Sequence, residues 1–338
     1  MSIKIRNKIA AMCAVFLVGA GAPAFSQAAL PGPDLAGLSR ALDEFSASMA
    51  LALPFNASMG LNTSDAHIGT LFPFPPRFSV GLTAGATTMD SSSIENLLGM
   101  FDFHGALPGG GRFPIPGIMA DIRLGGFVMP FDVGFKIGLL EIGFDAAQLD
   151  YFVIGGDFRY AVLRGRGLLP TVSVGVGFTR MRGGIGVSAE DLGFGFAFED
   201  QGTGQAITGT LNVTDPQIGI AWSADVLDFK AQVSKRFFFI TPYLGLGASH
   251  GWSRVSYGAN AGMSIYSSHN ITLENLGNEF GINIDEMGMS SEISTRGWSF
   301  RAFGGFSLNL LALRIDFTGL YNLRDRNFGG TVGVRIQI

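Results

Sequence analysis

Cysteine is all but missing from this 338-residue chain. Cys13 is the only one, so the rest of the chain can form no internal disulfide and no thiolate metal site. Basic residues are few as well. Lys and Arg number 23 against 27 acidic residues, and the first 28 positions contain three of the former and none of the latter. Residues 29–338 therefore hold 20 basic against 27 acidic side chains, a net charge of −7, which leaves nucleic acid no basic surface to grip. Histidine occurs at His67, His104, His250 and His269, without the paired spacing that a metal site needs. Past Gly19 no apolar run approaches the ~20 residues of a membrane-spanning helix. What the chain has in quantity is apolar residues, 47%, and glycine, 49 residues. A chain this apolar without a spanning helix must alternate its lipid-facing side chains with polar ones. No cofactor is predicted.

The first residues form a separate unit. Lys4, Arg6 and Lys8 make a positive n-region, Ile9 to Gly19 an apolar run, and Ser26-Gln27-Ala28 a small-residue cleavage site. Residues 1–28 are therefore expected to be a cleaved signal peptide. The apolar run is short for a transmembrane anchor. A lipoprotein reading of Cys13 fails because almost no hydrophobic region precedes it.

Alternation dominates from residue 77 onward. Along a strand, successive side chains point to opposite faces. In the last eleven residues Phe328, Val332, Val334, Ile336 and Ile338 share one parity, while Thr331, Arg335 and Gln337 share the other. Leu313, Ile315, Phe317 and Tyr321 oppose Arg314, Asp316, Thr318 and Asn322, with Leu320 as the one exception. Comparable ribbons cover 298–309, 243–255, 171–179, 152–162, 131–139, 118–124 and 78–84. Residues 217–235 switch parity partway. Ile218, Ile220, Trp222, Ala224 and Val226 are followed by Leu227, Phe229, Ala231 and Val233, which predicts a β-bulge near Val226-Leu227.

The total is ten strands, each near the ~9–11 residues that a tilted membrane strand needs. Connections alternate between short turns near 128–130, 164–169, 236–240 and 309–311 and long ones at 89–116, 184–216 and 257–296. That is the pattern of a bacterial barrel with short periplasmic turns. Two brief outer connections, 141–148 and 323–327, complete the set. Phe194 to Phe198 with Ala206 to Val213, and Met263 to Leu273 with Ile282 to Ile293, read as two further hairpins. If one or both joined the wall the count would rise to twelve or fourteen, but polar tips such as Asp200-Gln201-Gly202-Thr203-Gly204 suggest that they extend above the membrane instead. The fold class is thus all-β, a transmembrane antiparallel up-and-down barrel over residues 77–338.

Residues 29–76 differ. Leu35, Leu38, Leu42, Phe45 and Met49 recur at helical spacing, which predicts an amphipathic helix of about four turns. Pro54 and Phe72-Pro73-Phe74-Pro75-Pro76 then predict an extended linker. The helix is either a cap on the periplasmic mouth or a plug inside the barrel.

The polar parity names the lumen-lining residues: Asp121, Arg123, Asp132, Lys136, Asp157, Arg159, Asp225, Asp228, Lys230, Arg301, Arg314, Asp316 and Arg335. Both signs occur, often two residues apart, which suggests cross-strand ion pairs rather than a ring of one sign. They either satisfy a narrow lumen or tune the passage of a solute. Ten strands enclose too little space for a general porin, since wide aqueous channels need about sixteen. Catalysis is not expected, because no His is placed beside Asp or Ser at the outer rim. Gly109-Gly110-Gly111 is not followed by the Lys-Ser/Thr of a phosphate loop.

The alternating terminal strand, the signal-like start and the strand pattern over residues 77–338 resemble Gram-negative outer-membrane β-barrel proteins of the porin-like superfamily. The helical segment before the barrel also resembles the hatch of fatty-acid-type transporters. These resemblances imply the outer membrane as location, with the lipid bilayer and lipopolysaccharide or other outer-leaflet lipid as surroundings and the barrel-assembly machinery as a partner. They imply a narrow channel or transporter for a small, hydrophobic solute. The alternative is a closed barrel that serves as a structural or adhesin-like scaffold through its long loops.

Overall fold

The computed structural model describes residues 35–60, 62–69, 77–90, 112–126, 129–144, 147–165, 169–188, 192–199, 206–267 and 288–337. The signal-peptide region, the proline-rich run 72–76, His104, the glycines at 109–111 and His269 lie outside the described residues.

Among the described residues one helix, α1 (Leu35–Asn56), precedes eleven strands. These are β1 (Phe78–Asp90), β2 (Arg112–Gly125), β3 (Phe131–Phe144), β4 (Ala147–Leu163), β5 (Thr171–Ser188), β6 (Leu192–Glu199), β7 (Ala206–Ser234), β8 (Ile240–Ser267), β9 (Gly288–Leu310), β10 (Leu313–Asn322) and β11 (Phe328–Gln337). Each wall strand pairs antiparallel with its neighbours in the ring. β11 returns to β1, with Ser79 opposite Gln337 and Thr87 opposite Gly329. β5 pairs with β7 from Thr171 opposite Ser234 to Ser188 opposite Gln217. The ring therefore closes on ten strands, with β6 outside it, paired only to the start of β7. Closure removes the sheet edges that hydrocarbon could not satisfy.

Strand lengths separate wall from projection. β10 and β11 have 10 residues each, close to what a membrane crossing needs. β7, β8 and β9 run for 29, 28 and 23 residues. Their surplus lies at the end opposite the short turns, where β6, β7, β8 and β9 rise beyond the ring as one sheet. The two hairpins expected in the long loops are accordingly continuations of wall strands, together with β6, rather than four additional staves.

The outer face is apolar. Leu82, Leu139, Leu244, Leu246 and Ile336 are all more than half exposed, as lipid-facing positions of a barrel should be. Asp132, Arg123, Arg159 and Arg301 are buried on the inner face. At the outer end Trp252 and Trp298 flank His250 on the lipid side, with centroids 4.5 and 5.0 Å from its ring. That matches the aromatic girdle expected at a membrane interface.

The parity switch in β7 has a different cause from the predicted bulge. Pairing with β5 and β8 runs without a break through Val226 and Leu227. The register shift lies instead between Thr214 and Gln217, around Pro216, which has no N–H to give to a ladder. Trp222, Ala224 and Val226 point inward and are buried, whereas Ser223 and Asp225 point outward. The strand keeps its faces. What changes is the polarity of the interior, from charged to apolar, because a helix lies there. Leu320 is inward-facing for the same reason, packed with Phe303, Tyr243, Phe55, Met59 and Met119.

Candidate functional site: the plugged lumen

Residues 35–69 fill the barrel. Helix α1 runs inside its outer half and contacts β7, β8, β9 and β1. It is longer than the periodicity predicted, 22 residues, and continues through Pro54 to Asn56. At the outer mouth the Asp43 carboxylate accepts a hydrogen bond from Tyr257, 3.0 Å. Further in, Phe45, Met49, Ala50 and Leu53 meet Met89, Ile115, Met181, Trp222, Val226 and Val255 in a dry core. The fit is close: a Cβ on Gly251 would stand 2.3 Å from Pro54 Cγ, so this wall position admits glycine alone without movement.

Below the helix the interior becomes polar. Asn56 donates to Thr87 Oγ1 (2.9 Å) and to the Ile115 carbonyl (3.2 Å), and accepts from the Tyr151 hydroxyl (3.2 Å). The chain then turns at Gly60, whose φ of +87° suits a residue without a Cβ, and descends to Gly69 at the short-turn end.

Twelve of the thirteen residues expected in the lumen are there, eleven in three groups and Lys136 apart from them. In the first, Asp132 accepts from Arg123 (2.6 Å) and Arg159 (2.8 Å), and Asp157 joins Arg123 (2.7 Å) to Lys230 (2.6 Å). In the second, Arg301 grips Asp228 through both terminal nitrogens, 2.7 and 2.9 Å, and also donates to Ser249. In the third, Arg335 pairs with Asp316 at 2.8 Å, near buried Asp121, while Arg314 pairs with Asp65. The exception is Asp225. It lies on the outer face opposite Arg180, 3.7 Å away, with both side chains 40% exposed or more. Reading a bulge into β7 put it on the wrong side; unbroken register places it outside.

These wall groups also hold the plug. Lys136 donates to the carbonyls of Ala57 (2.5 Å) and Met59 (2.6 Å). Arg159 reaches Thr63 and the Asp65 carbonyl, and Gln232 donates to the carbonyls of Thr63 and Ser64. Asp132 accepts from the Ile68 amide (3.2 Å) and lies 3.3 Å from His67 Nδ1. Among the described wall residues below the helix, Arg123, Lys136, Arg159, Lys230, Arg301, Arg314 and Arg335 outnumber Asp121, Asp132, Asp157, Asp228 and Asp316. Asp65 and the plug's carbonyls supply the missing acceptors, as burial of cations requires. Residues 57–69 carry little charge and no helical period, so only the polarity of their partners identifies them. Among the described residues no group of three or more His, Cys, Asp or Glu could hold a metal.

No family model and no curated protein matches the chain. It is similar in fold to solved structures at low identity. The outer membrane protease OmpT from Escherichia coli is 12% identical, with a TM-score of 0.39, covering 78% of this chain and 98% of that one. The translocator domain of the autotransporter NalP from Neisseria meningitidis is 9% identical (TM-score 0.31; 89% and 97% covered). A Pseudomonas aeruginosa FadL homologue is 11% identical (TM-score 0.26; 80% and 95% covered). The closed antiparallel ring, the apolar outer surface and the charged interior make this chain a ten-stranded β-barrel, similar in fold to those outer-membrane proteins and filled by its own residues 35–60 and 62–69.

Proposed function

We propose that the protein is a narrow outer-membrane channel or transporter for small solutes, closed at rest by residues 35–69. The observation that carries this reading is the complementarity between wall and plug. A barrel meant only to be a closed stave could pair its inner charges with one another. Here Lys136, Arg159, Gln232 and Arg314 direct their donors to a segment that precedes the first wall strand and is no part of the sheet. With that segment withdrawn, the outer half would present Met89, Met181, Trp222 and Val255 to a solute, a lining suited to an apolar molecule. The inner half would present fixed charges.

Planar-bilayer conductance tests the reading. Deleting residues 29–69 is expected to raise single-channel conductance well above that of the full chain. A second arm keeps the plug in place. In P54C/G251C the two Cβ atoms would start about 3.0 Å apart, so a shift of roughly 0.5 Å brings them to disulfide range, and the chain has no other cysteine after Cys13. Oxidation should silence residual openings and reduction should restore them. A deletion variant as silent as the full chain defeats the channel reading.

The scaffold reading has an observation of its own, the sheet built by β6, β7, β8 and β9 beyond the ring. Removing residues 192–214 with 262–267 leaves the β5–β7 pairing, and the β7–β8 pairing from Gln217 opposite Asn260 onward, intact. If the protein is a channel, solute uptake survives this trimming; if it is a scaffold, surface adhesion is lost and uptake was never present.

A further inference from the structure

The short-turn mouth of the barrel contains a cavity of about 410 Å³. Its floor is the end of the plug, Asp65 to Gly69. Four arginines line it from separate elements: Arg77 ahead of β1, Arg164 in the β4–β5 turn, Arg236 in the β7–β8 turn and Arg314 on β10. Among the described lining residues one carboxylate stands against them, Asp65, which is shared between Arg314, Arg335 (3.6 Å) and Gln337 (3.0 Å). Among the described residues Arg77, Arg164 and Arg236 form no ion pair. Arg314 is itself 7% exposed, and its Nε has no hydrogen-bond partner. Lys235 is turned away, donating to the Leu169 carbonyl.

We propose that this cavity is a binding site for a soluble multivalent anion bearing phosphate or carboxylate groups, and that the anion competes with Asp65 for Arg314. Planar guanidiniums converging from several directions are the donor set that such oxyanions select, through paired charge-assisted hydrogen bonds. The volume falls in the range of small-molecule sites. The plug floors the cavity and Arg314 is buried within the barrel, which favours a ligand arriving from water. Occupation would bring negative charge against the Asp65 carboxylate, so binding and the hold on the plug oppose each other. The binding stands on the cavity alone. Its consequence for the plug rests on the channel reading above.

The test uses the full chain in neutral detergent, titrated calorimetrically with inorganic pyrophosphate and, separately, citrate. Saturable binding is expected, weakened by about tenfold or more in R164Q/R236Q, whose substitutions lie in exposed turns. D65N, which removes the competing carboxylate, should tighten it. Folding of each variant is checked by its band shift on unheated electrophoresis. Binding unchanged in R164Q/R236Q overturns the proposal. So does binding seen only in nanodiscs containing phosphatidylglycerol and absent with both soluble probes, which would assign the site to a lipid headgroup. Oxidised P54C/G251C should bind pyrophosphate yet not conduct. If the 29–69 deletion is silent while pyrophosphate binding obeys Arg164 and Arg236, the channel reading falls and the site stands. If the deletion conducts and the double variant binds normally, the site falls and the channel stands.

Discussion

Asp132 and Arg159 face each other across β3 and β4 in a two-pronged pair, Oδ1 to Nε at 2.8 Å and Oδ2 to Nη2 at 3.1 Å, with both side chains buried. Arg123 donates to the same carboxylate at 2.6 Å. Removing Asp132 leaves two guanidiniums facing each other in a closed lumen. D132N is therefore expected to cost about 3–5 kcal/mol, the usual penalty for breaking a buried pair from one side. D225N removes the exposed partner of Arg180 and should change stability by less than about 1 kcal/mol, since water and salt screen that pair. Urea midpoints in liposomes compare the two. Equal losses would mean that Asp225 also faces the lumen.

Trp222 reports on the plug. It is buried against α1, while Trp252 and Trp298 face lipid, and the chain has three tryptophans. In W252F/W298F the remaining emission should be blue and poorly quenched by acrylamide. Deleting residues 29–69 should shift it to the red and raise quenching. Insensitivity to the deletion would place α1 away from β7.

Gly251 and Pro54 should be energetically coupled. G251A brings a methyl to 2.3 Å from Pro54 Cγ, and overpacking of this kind costs about 1–3 kcal/mol. P54A leaves Pro54's Cβ position, 3.0 Å away, as the nearest remaining obstacle, so P54A/G251A should recover part of the loss. A double-mutant cycle on thermal unfolding measures this. Strict additivity would separate the helix from β8.

The outer face can be tested at its middle. Leu246 is 61% exposed on the lipid side of β8, between the short turn and Trp252. L246R should reduce folding stability in bilayers by about 2–4 kcal/mol, the penalty for a cation near the midplane of a barrel wall. A neutral result in a liposome folding titration would remove this face from the membrane.

Much of the wall was legible because strand periodicity is local. Each ribbon states its two faces by itself, and ten such ribbons with alternating short and long connections specify a closed cylinder. The lumen residues outside β7, from Asp121 to Arg335, could each be placed without knowledge of the others. Asp225 was the misplacement, and Trp222 and Val226 erred with it. A sequence written for a strand cannot say whether an apolar face meets lipid or a helix, because both partners are equally greasy.

The amino-acid order alone determined the strand pattern, the polar parity and the presence of an N-terminal helix, since each depends on residues close along the chain. Only the tertiary structure decided that the helix enters the barrel, that Lys136 and Arg159 hold backbone carbonyls of residues 57–65, and that His67 lies beside Asp132. Those contacts join positions separated by 65 to 94 residues, between partners whose types do not announce each other. Burial selects them: a cation inside a closed cylinder takes whatever acceptor the packing brings within reach.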